Sequence, residues 1–292
     1  MFLQAILTIA SWLLPPTLIF SASVASAAPN PPEPAPAYAK TTFILGIVPA
    51  HSARVLTERY EPLRAYLEKA LKQPVRIESA PDFRRFQERT LRGDFDLTIT
   101  PAHFARLAQK DAGQQPLAQF VPDHDALLIC AAERPLRTIQ DLKGKQLAVI
   151  DRLAITVTAT LQFLDTQGLE ANQDYQVIEH RTHASAAYAL ISGLSAAAVT
   201  TSQGMVQMPD DLRRKLVVLK HIADIPAFVL IARADMDKAQ AERLKTLLLT
   251  FQNEVEGIDF LGQTGYNKLI AANETVMKRA DVYLKETRKA LK

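Results

Sequence analysis

The chain has 292 residues, 48% of them hydrophobic and 7% aromatic, and its 34 Lys and Arg against 31 Asp and Glu leave a net charge of +3. Cations spread along the chain and few aromatic rings exclude the clustered bases and stacking platforms of a nucleic-acid binder. A single cysteine, Cys130, excludes an intramolecular disulfide, and its place in the apolar run Ala126–Ala132 makes it a core thiol.

Met1 to Ala27 hold no charged side chain, carry an apolar stretch from Phe2 to Phe20 and end in Ala25-Ser26-Ala27. That pattern predicts a secretory signal cut after Ala27, with an uncleaved anchor as the rival; Pro15-Pro16 argues against a permanent span. Residues 28–40, rich in Pro and Ala, read as an extended tether. The folded part starts near Thr41, and the remaining length of about 250 residues suffices for one large domain or two moderate ones.

Phe43–Val48 reads as a buried strand, Arg54 to Lys72 as a helix with Leu56, Tyr60, Leu63 and Leu67 on one face, and Val75–Ser79 as a second strand. A helix over Phe83–Leu91, closed by Gly93, leads to a third strand at Leu97–Thr100. The middle of the chain repeats the plan: strand Gln146–Ile150, helix Thr156–Thr166, strand Tyr175–Glu179, helix Ala184–Ser192, Gly193 and strand Ala196–Thr200. Gly93 precedes Thr100 by the spacing at which Gly193 precedes Thr200. Alternating strand and helix predicts an α/β fold of parallel sheets flanked by helices.

Two apolar runs, Ala126–Ala132 and Ala227–Ala232, connect the halves. If the second returns the chain to the first sheet, residues 41–122 with 225–292 form one lobe and residues 123–224 the other, joined by a two-strand hinge around a cleft. From Asp237 onward the chain reads helical. Asp94 and Asp96 read as a solvated turn, and Asp210-Asp211 after Pro209 as a helix start.

Motifs for hydrolases, phosphate loops and dinucleotide turns are absent from the sequence, and the pair His180 and His183 lacks a third metal ligand nearby. No metal or cofactor is expected. The polar candidates gather at strand ends and helix starts: His51 and Ser52 after the first strand, Thr100 and His103 after the third, Thr156 and Thr158 in the helix after Gln146–Ile150, His183 before the next helix, and Thr200 with Thr201 after the last strand. Ser and Thr also favour such places as ordinary caps. A helix start, with its free N–H groups and partial positive charge, can cradle an oxyanion.

The chain resembles the phosphate, phosphite and phosphonate-binding components of bacterial ABC importers, which are type II periplasmic binding proteins. The resemblance rests on Gly46-Ile47-Val48-Pro49, on Tyr60-Glu61-Pro62-Leu63-Arg64-Ala65-Tyr66-Leu67-Glu68, on Gly93-Asp94-Phe95-Asp96-Leu97, on Asp141-Leu142-Lys143-Gly144-Lys145, and on His183 with Ala189-Leu190 and Gly193. It implies a two-lobed α/β fold and a non-enzymatic periplasmic receptor for a small oxyanion. A permease or sensor would be its partner, with no stable membrane insertion after signal cleavage. The family's Ser-Thr-Ser-Gly-like anion turn falls at Ala154-Ile155-Thr156-Val157, where one hydroxyl survives and main-chain N–H groups of Ile155 and Val157 remain as donors. The family's His matches His183, its Pro-x-aromatic segment is matched by Pro101-Ala102-His103, and Ser195-Ala196-Ala197 stands where aminophosphonate binders carry an acid. The rival expectations are a solitary sensing or accessory module for a neutral or apolar ligand, and an enzyme using His183 or His103 as general base.

Overall fold

Apolar runs bounded by turn residues form the strands, and the stretches with helical periodicity form the helices that cover them. The computed structural model describes residues 42–292; the expected signal and tether lie outside the described residues. The chain runs β1 (Phe43–Ile47), α1 (Ala53–Leu71), β2 (Val75–Glu78), α2 (Phe83–Arg92), β3 (Leu97–Thr100), α3 (Ala102–Ala112) and β4 (Gln115–Val121). It continues through β5 (His124–Ala131), β6 (Gln146–Val149), α4 (Ile155–Thr166), β7 (Gln176–Glu179), α5 (His183–Ile191), β8 (Ala197–Thr200), α6 (Ser202–Val206), α7 (Asp210–Arg213) and β9 (Leu216–Ile225). The last part comprises β10 (Val229–Ala232), α8 (Lys238–Phe251), α9 (Val255–Thr264), β11 (Lys268–Ala271), α10 (Glu274–Arg279) and α11 (Leu284–Leu291). Among the described residues no helix is long and apolar enough to cross a membrane.

Two sheets result, ordered β11-β4-β10-β3-β1-β2 and β7-β6-β8-β5-β9. The chain crosses between them twice, from β4 to β5 and from β9 to β10. Expected as mainly parallel, each sheet is in fact mixed. The β1, β2 and β3 strands pair in parallel, as do β6, β7 and β8, but every strand next to a crossing is antiparallel to its neighbours. The reason is topological: helix-linked strands keep one direction, whereas a strand arriving from the other sheet enters from the opposite end. Gly93 and Gly193 hold φ of 75° and 77°, the left-handed conformation that lets the chain leave α2 and α5 and turn into β3 and β8. Asp210 and Asp211 do open a helix, behind Pro209, and Cys130 is fully buried.

An apolar cluster bridges the sheets. Ile44, Val48, Phe83, Phe86 and Phe104 from one side pack in the same cluster as Leu147, Val149, Leu153 and Ala154 from the other. Asp96 is not in a solvated turn: it is 4% exposed, accepts a 2.7 Å hydrogen bond from Ile44 N and pairs with Arg233 at 3.4 Å. It ties the start of β3 to its neighbours in the sheet, while Asp94 alone faces outward to Arg89 and Arg92.

Gly46 in β1 explains part of the Gly46-Ile47-Val48-Pro49 motif. A Cβ there would lie 2.5 Å from the Phe95 ring, and that ring cannot retreat because it is buried, stacks on Phe86 at 5.3 Å and lies under the Arg89 guanidinium at 4.4 Å. Gly46→Ala is expected to destabilise the fold by about 2 kcal/mol through overpacking. Urea unfolding checks this, and an unchanged midpoint would contradict it.

Candidate functional site

The carboxyl ends of β1, β3, β6 and β8 converge where the two sheets face each other, the usual place for a ligand in open α/β sheets. Local sequence builds the junction. Thr182 and Ser185 form a reciprocal cap, each backbone N–H donating to the other's hydroxyl at 3.0 Å, which starts α5 with His183 as its first residue. Thr201 caps α6 by accepting from Gly204 N at 2.7 Å, and Asp82 caps α2 by accepting from Arg85 N at 2.7 Å. By contrast α3 and α4 start at Pro101 and Ala154 with no side-chain cap. The first-turn N–H groups of α4 are therefore without a side-chain acceptor.

These starts surround one small pocket of about 40 Å³. From the first sheet's side come Ala50, His51, Phe83, Pro101 and Tyr266; from the second come Ile150, Ala154, Ile155, Thr156, His183, Thr201, Gln203, Gly204 and Gln207; His124 and Phe228 lie by the two crossings. Among the described residues that line the pocket none carries a fixed charge. Arg59, just behind the wall, donates to Gln207 Oε1 at 2.5 Å, and Gln207 Nε2 donates to the Thr264 carbonyl at 2.9 Å. These two bonds, with the 2.9 Å contact of His103 Nε2 to the Leu153 carbonyl, hold the two sheets together around the pocket.

Three imidazoles share the pocket. His51 and His183 have ring centroids 6.1 Å apart, and His124 Nε2 lies 2.6 Å from Tyr266 Oη. Burial holds His183 down to about 4. His124 is lowered to about 4, by burial first and by His183 second, against the pull of Asp125 and Asp123. His51 keeps some solvent access yet is densely surrounded; burial, then His183 and Arg59, push it to about 3, while Gln207 pulls the other way. All three rings are neutral at neutral pH, as buried imidazoles without a carboxylate partner should be.

Of the expected residues, His51, Ile155, Thr156, His183 and Thr201 meet in this pocket. Thr200 sits one layer behind, its Oγ1 3.2 Å from His183 Nδ1; with that hydroxyl donating, the His183 proton occupies Nε2. The structure places the others outside the lining, for local reasons. Ser52 is spent on capping α1, accepting from Val55 N at 3.4 Å. Thr158 donates back to the Ala154 carbonyl at 3.3 Å, as helical threonines do. Val157 points into the apolar cluster, Thr100 is wholly buried, and His103 spends its Nε2 on Leu153.

Sequence reading missed His124, Phe83, Phe228, Tyr266, Gln203 and Gln207. Phe83, His124, Phe228 and Tyr266 are brought there only by tertiary folding, whereas Gln203 and Gln207 follow the candidate Thr201 on α6 and at its end. Gly204 left a faint signal: a Cβ on it would stand 2.8 Å from Thr200 Oγ1 and 3.3 Å from His183 Cγ, so the glycine permits the Thr200–His183 contact.

A family profile described as ABC transporter, phosphonate, periplasmic substrate-binding protein matches residues 45–276. Among solved structures, a binding protein component of an ABC phosphonate transporter from Pseudomonas aeruginosa is 16% identical, over 86% of this chain and 89% of its own, with a TM-score of 0.75. PhnD1 from Prochlorococcus marinus, solved in complex with methylphosphonate, is 14% identical over 85% and 99% of the two chains, with a TM-score of 0.76. The alkanesulfonate-binding protein SsuA from Xanthomonas axonopodis pv. citri, bound to MOPS, is 16% identical over 85% and 93%, with a TM-score of 0.59. At such identities the likeness establishes the fold, that of the type II periplasmic binding proteins.

Proposed function

Because the chain belongs to the family of periplasmic substrate-binding proteins of phosphonate ABC transporters, a family of binding proteins and not of enzymes, we propose that it captures a small oxyanion between its two sheets for delivery to a permease. Phosphonate, phosphite and phosphate are the ligands considered. Residues 41–122 with 225–292 act as one lobe and 123–224 as the other, rocking on the two crossings. Secretion follows from a signal cut after Ala27, and no catalytic step is involved.

The observation that carries this reading is the uncapped start of α4, bearing Thr156, set across one pocket from His183 and His51. Unmet N–H groups, a hydroxyl and imidazole N–H groups are the donors that make a buried oxyanion tolerable. Family membership does not favour the solitary module for a neutral solute. In a thermal-shift series with methylphosphonate, phosphite, phosphate and methanesulfonate, at least one phosphorus oxyanion is expected to raise the melting temperature by several degrees. A ligand that binds only the folded form must do so; no response to any of the three overturns the reading.

A further inference from the structure

The pocket presents an unusual balance for an anion site: three imidazoles from three separate elements and no fixed cation among its lining residues. We infer that capture is proton-coupled, so that His51 and His183 together hold one proton in the occupied state that the empty protein does not hold. The inference rests on the oxyanion reading above and deepens it by naming the residues that set the charge of the complex.

The neighbours of these rings determine which can take the proton. The second nitrogen of His183 is oriented by Thr200 from the end of β8, and Gln207 after α6 stands near enough to His51 to oppose its downward shift. Among the described residues neither ring has a carboxylate partner. Asp123 is engaged by Arg279 at 2.6 Å, Asp125 accepts from Ser202 N at 2.7 Å, and Asp151 accepts from Leu153 N at 2.8 Å and Phe83 N at 3.4 Å. On the other side stand only Arg59, bound to Gln207, and the buried phenols of Tyr60 and Tyr266. His124 is set apart by its 2.6 Å bond to Tyr266.

Nothing in the empty pocket therefore stabilises an imidazolium, which agrees with the depressed His51 and His183 values given above. An entering oxyanion supplies the missing counter-charge, and an anion met by neutral donors alone would keep part of its desolvation cost. Two rings 6.1 Å apart disfavour a second proton by mutual repulsion. One proton per captured anion is the stable count.

Calorimetric titration of the purified protein with methylphosphonate, in the pH range where that ligand is a dianion, tests this in two buffers of different ionisation enthalpy. The heats are expected to differ by the amount for about one proton taken up, with affinity falling about tenfold per pH unit raised. On saturation the ¹⁵N signals of His51 and His183 should move toward the imidazolium position, and His51→Gln should reduce the uptake by about half or more. Binding with equal heats in both buffers, or uptake with both rings remaining neutral, overturns the inference and leaves the oxyanion reading standing. No binding of methylphosphonate, phosphite or phosphate overturns both.

Discussion

Thr156→Ala combined with His183→Ala is expected to weaken methylphosphonate binding by about 100-fold or more, in a protein that still unfolds cooperatively. Each substitution removes one donor to a charged ligand, worth about 1.5–3 kcal/mol, and a loss of about 3 kcal/mol in all is two orders of magnitude in affinity. The fold should survive, because α5 is started by the Thr182–Ser185 cap and α4 has no side-chain cap to lose. The conservative single change Thr156→Ser keeps a hydroxyl donor at that place and should retain most of the affinity. Calorimetry decides: wild-type affinity in the double alanine variant would remove these two residues from the site.

Acid is expected to unfold the protein well above the usual carboxylate range. Burial holds His103, His124 and His183 at about 4, and a combination led by burial holds His51 at about 3, whereas an unfolded histidine titrates near 6.5. Below about pH 6.5 the unfolded chain takes up protons that the native state refuses, so stability falls as pH falls, and the loss continues down to the native values. At about pH 5 each fully buried imidazole forfeits about 2 kcal/mol, roughly 6 kcal/mol for His103, His124 and His183 together. That is comparable with the whole stability of an ordinary domain. Urea midpoints should drop steeply between about pH 7.5 and pH 5. His103→Asn should flatten the slope, since the His103 ring is wholly buried and donates no more than one neutral bond across the sheets. A pH-independent midpoint would refute the account.

The local parts of the fold were legible. The stripe of Leu56, Tyr60, Leu63 and Leu67 on α1 is buried as its spacing required, and the apolar run before Asp151 is β6. Less legible were the strands whose pairing partners are remote. β9 was not foreseen, because as an edge strand it is buried only at its ends and leaves Val217 and Val218 exposed, so no clean alternation marks it. β11 lies in a stretch that reads helical, yet it completes the first sheet beside β4. Asp96 was misjudged for the same reason: a carboxylate near a glycine turn looks solvated until the backbone N–H of Ile44 and the Arg233 side chain are brought to it. His103 fits a pocket position by pattern alone, but the packing of α3 under Leu153 seals it inside.

What the amino-acid order determined by itself were features that depend on neighbours a few residues apart: helix faces, the glycine turns at 93 and 193, and the donor-rich starts after β1, β6 and β7. Such features rest on backbone geometry and short-range hydrogen bonding, which a linear string records directly. The tertiary structure alone decided which of those starts share a cavity, that Phe83, His124, Phe228 and Tyr266 complete its wall, and that its imidazoles are neutral. Burial and the distance between charges are properties of the assembled packing, set by segments more than 100 residues apart, and no local pattern encodes them.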